Sequence, residues 1–254
     1  MSCRVERQGD QAVVVLDRPE RKNAMRDDDW REVAGLLRGL ADDGDVRVVV
    51  VTGAGGDFCA GADLVVGSDE ISPLRRVRLA TEVAEALHTL PQPTIAKVQG
   101  VAVGAGCNLA LGCDFVVASE EARFAQIFVR RGLGLDAGGS WLLPRLVGLR
   151  RAKELALLGE MISATEAQEY GLINRVVGAD DLDAAVDDLA ARLAAGPPIA
   201  MAAIKRTLNE SVGPPIGTSL ALEEYSQSVN LVTEDFSEAV AAFVDRRQPT
   251  FRGR

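Results

Sequence analysis

Two segments of this chain are stripped of large side chains where chemistry could use the bare backbone. One is Phe58-Cys59-Ala60-Gly61-Ala62-Asp63-Leu64; the other runs from Gly100 through Val103-Gly104-Ala105-Gly106-Cys107-Asn108 to Asp114. Each follows an apolar, strand-like run, and small residues let a ligand's polar atom reach main-chain N–H groups. Two such groups converging on one oxygen form an oxyanion hole, which stabilises charge developing during a reaction. Packing is the competing explanation, since glycine and alanine also let helices approach strands. A third small-residue segment, Gly132-Leu133-Gly134-Leu135-Asp136-Ala137-Gly138-Gly139-Ser140-Trp141, carries a single carboxylate. A free aspartate, with a pKa of about 3.9, is a poor base toward carbon unless burial raises it. Phe128 and Leu135 could supply an apolar setting for Asp136, whereas Arg130 and Arg131 could undo it by pairing with the carboxylate. Asp136 could also simply cap a helix starting near Gly139.

With the upstream turn Arg18-Pro19-Glu20-Arg21-Lys22-Asn23-Ala24, these segments resemble the crotonase (enoyl-CoA hydratase/isomerase) superfamily over essentially the whole chain. The resemblance implies an enzyme that stabilises the enolate of an acyl-CoA thioester. Its two oxyanion donors map to the N–H groups of Ala62 and Ala105, each worth roughly 3–4 kcal/mol in such a site. Ala105 stands where a short helix from about Gly106 to Leu111 is expected to begin, adding the positive end of a helix dipole. The same match puts Lys22, Ala24, Ala60, Asp63, Leu64, Gly104, Asn108 and Phe128 around the substrate, with Lys22 and Arg21 available to a CoA phosphate. Asp63 is expected to shape its turn by accepting from nearby N–H groups. No metal or separate cofactor is implied, because CoA enters as part of the substrate.

What is missing sharpens the resemblance. Hydratases of the family divide proton transfer and water activation between two glutamates. Here their positions read Asn108 and Phe128, and an acid appears eight residues later, at Asp136. Asparagine cannot exchange protons near neutral pH, and phenylalanine dries the pocket. Moving a double bond needs only one base that takes a proton from one carbon and returns it two carbons away. The run around Asp136, with the following Leu142-Leu143-Pro144-Arg145-Leu146-Val147-Gly148, resembles enoyl-CoA isomerases of the phenylacetate-degradation type. An isomerase with Asp136 as base is therefore expected. The alternatives are an enoyl-CoA hydratase of the fatty-acid β-oxidation type and an acyl-CoA binding protein without catalysis. The acyl group itself is not legible, and the variable loop from Val65 to Ile71 is expected to help select it.

The elements that must position these residues alternate strand and helix. Arg4–Arg7 and Ala12–Leu16 read as a hairpin about Gly9-Asp10. Asp27 is expected to cap a helix to about Ala41, with Val33, Leu36, Leu37 and Leu40 on its apolar face. Val46–Thr52, Thr94–Val98 and Phe115–Ala118 read as strands. Ser72-Pro73 opens a helix to about Leu90, serine as N-cap and proline as first residue. Val48–Thr52 followed by Gly53-Ala54-Gly55-Gly56 suggests a dinucleotide turn, but no helix begins within the glycines as that turn demands. Ser163-x-x-Glu166 resembles a capping box, Asn174–Val177 a last strand, and Leu182, Val186, Leu189 and Leu193 a helical face. Gly196-Pro197-Pro198 marks the clearest boundary. Beyond it helices are expected over Pro198–Ser211, Ser219–Val232 and Asp235–Asp245. Two strands followed by a helix recur, which suits stacked ββα units. The resemblance implies an α/β fold of that kind: a crotonase-like spiral core over residues 1–195 and a helical region over 196–254 that makes homotrimers, commonly paired into hexamers.

Composition removes other classes. A net charge of −9 opposes nucleic-acid binding, which needs a basic face. No run approaches a membrane span, and the amino terminus enters a strand pattern at once, so neither membrane insertion nor a secretory signal is expected. The single histidine, His88, leaves no set for a zinc hydrolase, and no GxSxG elbow is present to pair with it. Cys3, Cys59, Cys107 and Cys113 form no CxxC pair and are expected to be buried thiols in a reducing cytoplasm.

Overall fold

The computed structural model describes residues 2–64, 72–211, 213 and 215–254; the expected variable loop from Val65 to Ile71 lies outside them. The first hairpin forms as expected, β1 (Cys3–Gln8) pairing antiparallel with β2 (Gln11–Leu16) about Gly9 at φ 64°. Helix α1 (Asp27–Ala41) follows, but Asp27 is its first residue rather than its cap. The cap position belongs to Arg26, whose N–H donates to the Asp29 carboxylate at 2.8 Å. That buried carboxylate, already inside the helix, does the work expected of Asp27. Val33, Leu37 and Leu40 lie in the core with Trp30, and Leu36 packs at its edge.

Strands β2, β3 (Val48–Gly53), β4 (Thr94–Val98), β6 (Phe115–Ser119) and β9 (Arg175–Val177) run parallel, with β1 at the outer edge. Their centres are continuous apolar runs because both faces are covered. Val14, Leu16, Val49 and Val51 face the main core, whereas Val13, Val15, Val48, Val50 and Ile95 face helix α6 (Leu182–Ala194). Helix α2 (Pro73–Thr89) starts as expected, with Ser72 Oγ accepting from Arg75 N.

A second sheet turns this arrangement into a spiral. It comprises β5 (Val101–Val103), β7 (Arg123–Ala125) and β8 (Met161–Ser163). Consecutive strands β4 and β5 sit in different sheets, as do β6 and β7, and a helix follows each pair: α3 (Ala105–Leu111) and α4 (Gly139–Leu158). The turns stack because β4 pairs with β6 while β5 pairs with β7. Bridges between Cys59 and Ala102, and between Met25 and Ala62, extend the same stacking to the earlier turns. Stacked ββα units are therefore present, and the small-residue segments lie where successive turns touch. Helix α4 breaks at Gly148, whose φ of 73° is not helical. The expected capping box opens α5 (Ala164–Glu169), Ser163 and Glu166 bonding reciprocally.

Past Gly196-Pro197-Pro198 come α7 (Pro198–Glu210), α8 (Ile216–Asn230) and α9 (Glu234–Asp245). Lys205 ties α7 to the sheet, its Nζ 2.7 Å from Asp114 Oδ2 and donating to Gln92 O at 3.0 Å. All four cysteines are buried and free, and burial pushes each thiol up to about 12. His88 stacks edge-on against Trp141 with ring centroids 5.1 Å apart. No helix among the described residues is long and apolar enough to cross a membrane.

Candidate active site

A cleft of about 350 Å³ opens where the 60–64 segment, the start of α3 and the 127–136 segment meet. One wall begins in the turn after β2. Asn23 accepts from Arg18 N at 2.9 Å and donates to Ala54 O and Asp57 O at 2.9 and 2.7 Å, locking that turn to the loop after β3. The 60–64 segment then runs beside residues 22–25. Ala60 N donates to Lys22 O, Met25 N to Gly61 O and Asp63 N to Met25 O, at 2.8–2.9 Å. Alternation along this bridge leaves the Ala62 N–H without an acceptor among the described residues.

Ala105 is the first residue of α3, so its N–H has no partner within the helix. Gly104 makes the turn into it at φ 57°, its own N–H donating to Ala125 O at 2.8 Å. Gly61, at φ 92°, lies directly against this helix start: a β-carbon there would stand 3.5 Å from Ala105 N. The free N–H groups of Ala62 and Ala105 thus belong to backbone segments in contact, and both residues line the cleft.

Asp136 lines the same cleft. Its carboxylate does not cap α4, where Gly138 holds the cap position and no side chain bonds the first turn. Its Oδ1 is buried without a hydrogen-bond partner, and burial alone pushes its pKa up to about 6. Neither neighbouring arginine pairs with it. Arg130 instead donates to Leu158 O at 3.2 Å, and Arg131 lines the cleft. Phe128 is a buried wall residue, and Ile127, Val103 and Leu133 complete an apolar side.

Of the residues expected around the substrate, Ala24, Ala60, Asp63, Leu64, Gly104 and Phe128 line the cleft with Ala62, Ala105 and Asp136. Two do not. Lys22 reaches away to Asp57, at 3.2 Å, with its side chain 60% exposed, and Arg21 takes the basic place on the cleft. Asn108 is 1% exposed beneath the cleft, its amide donating to Asp136 O at 2.9 Å and accepting from Gln126 at 2.8 Å. Asp63 receives the Arg18 guanidinium at 3.1 Å. Glu82 pairs with Arg38 of α1 at 3.3 Å, away from the cleft. Arg131, Leu133, Ile127 and Val103 were not expected as lining residues. Nothing local in the sequence marked them, since β5 is three residues long and Ile127, Arg131 and Leu133 lie in a short turn-rich segment. Among the described residues, no group of three or more His, Cys, Asp or Glu could hold a metal ion.

The family profile described as enoyl-CoA hydratase/isomerase matches residues 6–254. The chain is 42% identical over 246 residues to the "Probable enoyl-CoA hydratase" of Rhodobacter capsulatus, covering 96% of this chain and 95% of that one. It is 38% identical over 247 residues to the 1,2-epoxyphenylacetyl-CoA isomerase of Escherichia coli, covering 95% and 94%. The crystal structure of an enoyl-CoA hydratase from Bacillus anthracis superposes with a TM-score of 0.95 at 33% identity, covering all of both chains.

Proposed function

The chain belongs to the enoyl-CoA hydratase/isomerase family, and from that premise we propose that it shifts a carbon–carbon double bond in an acyl-CoA thioester. The observation that carries this reading is Asp136: a carboxylate on the cleft, with one oxygen buried and unpartnered and a pKa raised to about 6 by burial. A base so poised is ionised near neutral pH yet basic enough to take a proton from carbon.

The thioester carbonyl oxygen sits between the N–H groups of Ala62 and Ala105. Asp136 removes the proton from the α-carbon of a 3-enoyl thioester, and the electron pair passes through the C1–C2 bond onto that oxygen, giving a dienolate whose conjugation with the C3–C4 double bond makes C4 nucleophilic. Asp136 then delivers the same proton to C4, and the double bond settles between C2 and C3. Atoms and charge balance with no co-reactant. Preorganised N–H donors stabilise the dienolate more than the neutral thioester, which is what accelerates the step. Phe128, Ile127 and Leu133 keep water from the intermediate. Arg21 faces a phosphate of the CoA, which enters as part of the substrate with no further cofactor.

Hydration is the second reading, favoured by the name of the Rhodobacter capsulatus relative. It lacks support at residues 108 and 128, where an amide committed to the backbone and a phenyl ring replace acids. Self-association as a homotrimer or dimer of trimers is supported by exposed apolar side chains on α7 to α9, including Leu208, Leu220, Tyr225 and Phe243.

The test is incubation with a 3-enoyl-CoA and, separately, a 2-enoyl-CoA, followed by chromatography and mass spectrometry. Interconversion at unchanged mass, lost in Asp136→Asn, is the expected result. Gain of one water on the 2-enoyl substrate would establish the hydratase instead. Binding with no conversion of either would leave a carrier.

A further inference from the structure

Asn108 lies buried beneath the cleft, hydrogen-bonded at both ends of its side-chain amide. It is 1% exposed, on the second turn of the short helix α3. Its Nδ2 donates to the backbone carbonyl of Asp136 at 2.9 Å, and its Oδ1 accepts from Gln126 Nε2 at 2.8 Å. A carbonyl oxygen can only accept, so Asp136 O dictates which end of the Asn108 amide faces it; the remaining oxygen then selects the Gln126 amide nitrogen. Gln126 is itself 2% exposed at the end of β7, its Nε2 also within 3.4 Å of Cys107 Sγ. A second contact tightens the arrangement: a β-carbon on Gly139 would collide with the Asn108 amide, so the first residue of α4 is packed directly upon it. Between these two anchors, Ala137 holds a φ of 46°, a left-handed conformation that strains a non-glycine residue and persists only where its surroundings impose it.

We propose that Asn108 and Gln126 are positioning residues, a two-amide brace that fixes the main chain at Asp136 and thereby sets the depth and direction of its carboxylate in the cleft. The inference rests on the reading of Asp136 as the base. It gives the amide at residue 108 a task of its own: a side chain that cannot exchange protons holds the group that does. The brace runs from the small sheet, through the helix that presents Ala105, to the Asp136 segment. Base and oxyanion donor are therefore held by one rigid unit, and a misplacement of about 1 Å between such groups costs on the order of a hundredfold in rate.

The experiment measures kcat and KM on a 3-enoyl-CoA as a function of pH for Asn108→Ala, Asn108→Asp, Gln126→Ala and the Asn108→Ala/Gln126→Ala double variant, with Asp136→Asn beside them. Thermal melts confirm that each is folded. Asn108→Asp keeps the side-chain volume and the acceptor for Gln126 but loses the donor to Asp136, so a folding defect in the alanine variant does not close the question. The other ionisable groups on the cleft, Arg21, Asp63 and Arg131, are untouched by these changes. The expected result is a kcat lowered about a hundredfold in both Asn108 variants and about tenfold in Gln126→Ala, with KM within threefold. The double variant is expected to match Asn108→Ala, since the two residues act as one brace. In Asn108→Ala the acid limb of the pH profile should fall below its wild-type midpoint as the freed carboxylate meets water. If Asp136→Asn is inactive while both Asn108 variants keep the wild-type kcat and acid limb, the brace is refuted and the base stands. If Asp136→Asn keeps its activity, the base itself is refuted, and the brace with it.

Discussion

Gly61 and Ala105 approach so closely that a β-carbon on Gly61 would stand 3.5 Å from the Ala105 nitrogen and 2.8 Å from the Val103 carbonyl oxygen. The second distance is too short for any real side chain, and Gly61 also holds a φ of 92°, open to glycine but not to alanine without strain. Gly61→Ala is therefore expected to push the 60–62 segment off the start of α3 and to separate the two N–H donors. Loss of one oxyanion donor costs about 10²–10³ in kcat, so kcat/KM on a 3-enoyl-CoA should drop at least about a hundredfold. A variant with near-wild-type turnover would show that this contact does not set the donor geometry.

Burial of Asp136 opposes folding at neutral pH, and the sign is definite. Its pKa in the folded protein is about 6 against an ordinary 3.8, so the folded state holds the proton more tightly. Below about pH 4 the group is protonated folded or unfolded, and no penalty arises. Between about 4 and 6 the penalty grows, and above 6 it is complete, bounded near 3 kcal/mol for a shift of this size. Asp136→Asn is neutral at every pH and escapes it. Its melting temperature should exceed that of the wild type at pH 8, by several degrees at most, and the difference should close as pH falls through 6 to 4. Differential scanning calorimetry at pH 4, 6 and 8 measures this; a variant less stable at pH 8 would contradict it.

The pH dependence of catalysis tests the same carboxylate from the other side. A base acts deprotonated, so kcat/KM should rise with pH to a plateau, with a midpoint near 6. Phe128 is a buried wall of the cleft. Phe128→Ser admits water and should move the midpoint toward the ordinary carboxylate range, whereas Phe128→Leu keeps the wall apolar and should leave it in place. Equal midpoints in all three proteins would mean that the limb belongs to another group.

Local grammar explains what could be read without coordinates. Ser72-Pro73, the Ser163–Glu166 box, Gly9-Asp10 and Gly196-Pro197-Pro198 each act within a few residues, and each marks its boundary in the fold. β5, β7 and β8 have three residues apiece, too few for any periodicity, and they exist because neighbouring turns of the spiral supply their partners. The same limit governs side chains. Asp29 rather than Asp27 serves the start of α1, because the geometry of the first turn decides which carboxylate folds back. Arg21 faces the cleft and Lys22 turns to Asp57, a choice made by the left-handed conformation of Lys22 at φ 51°. Asn108 was legible as a missing acid but not as a brace, since its partners lie 18 and 28 residues away.

Lys205 is one long-range tie of the carboxy-terminal region, and its removal should loosen the carboxy-terminal helices before the sheet. Its side chain is 9% exposed, with Nζ 2.7 Å from Asp114 Oδ2. The same oxygen accepts from Thr94 N and Thr94 Oγ1 at 2.7 and 2.8 Å, so the pair joins α7 to the start of β4 and to the turn before β6. Taking one partner from a buried pair leaves the other charge desolvated and uncompensated, a loss of about 3–5 kcal/mol when burial is complete. Here Thr94 still serves Asp114, which is about a quarter exposed, so Lys205→Met should cost about 2 kcal/mol and lower the melting temperature by roughly 4–8 °C. Lys205→Met/Asp114→Asn should recover part of that loss by removing the stranded charge. Limited proteolysis locates the effect: cleavage near Gly196 should accelerate in Lys205→Met and slow again in the double variant. Acceleration spread evenly along the chain would instead place the pair in the global core, with no special hold on α7.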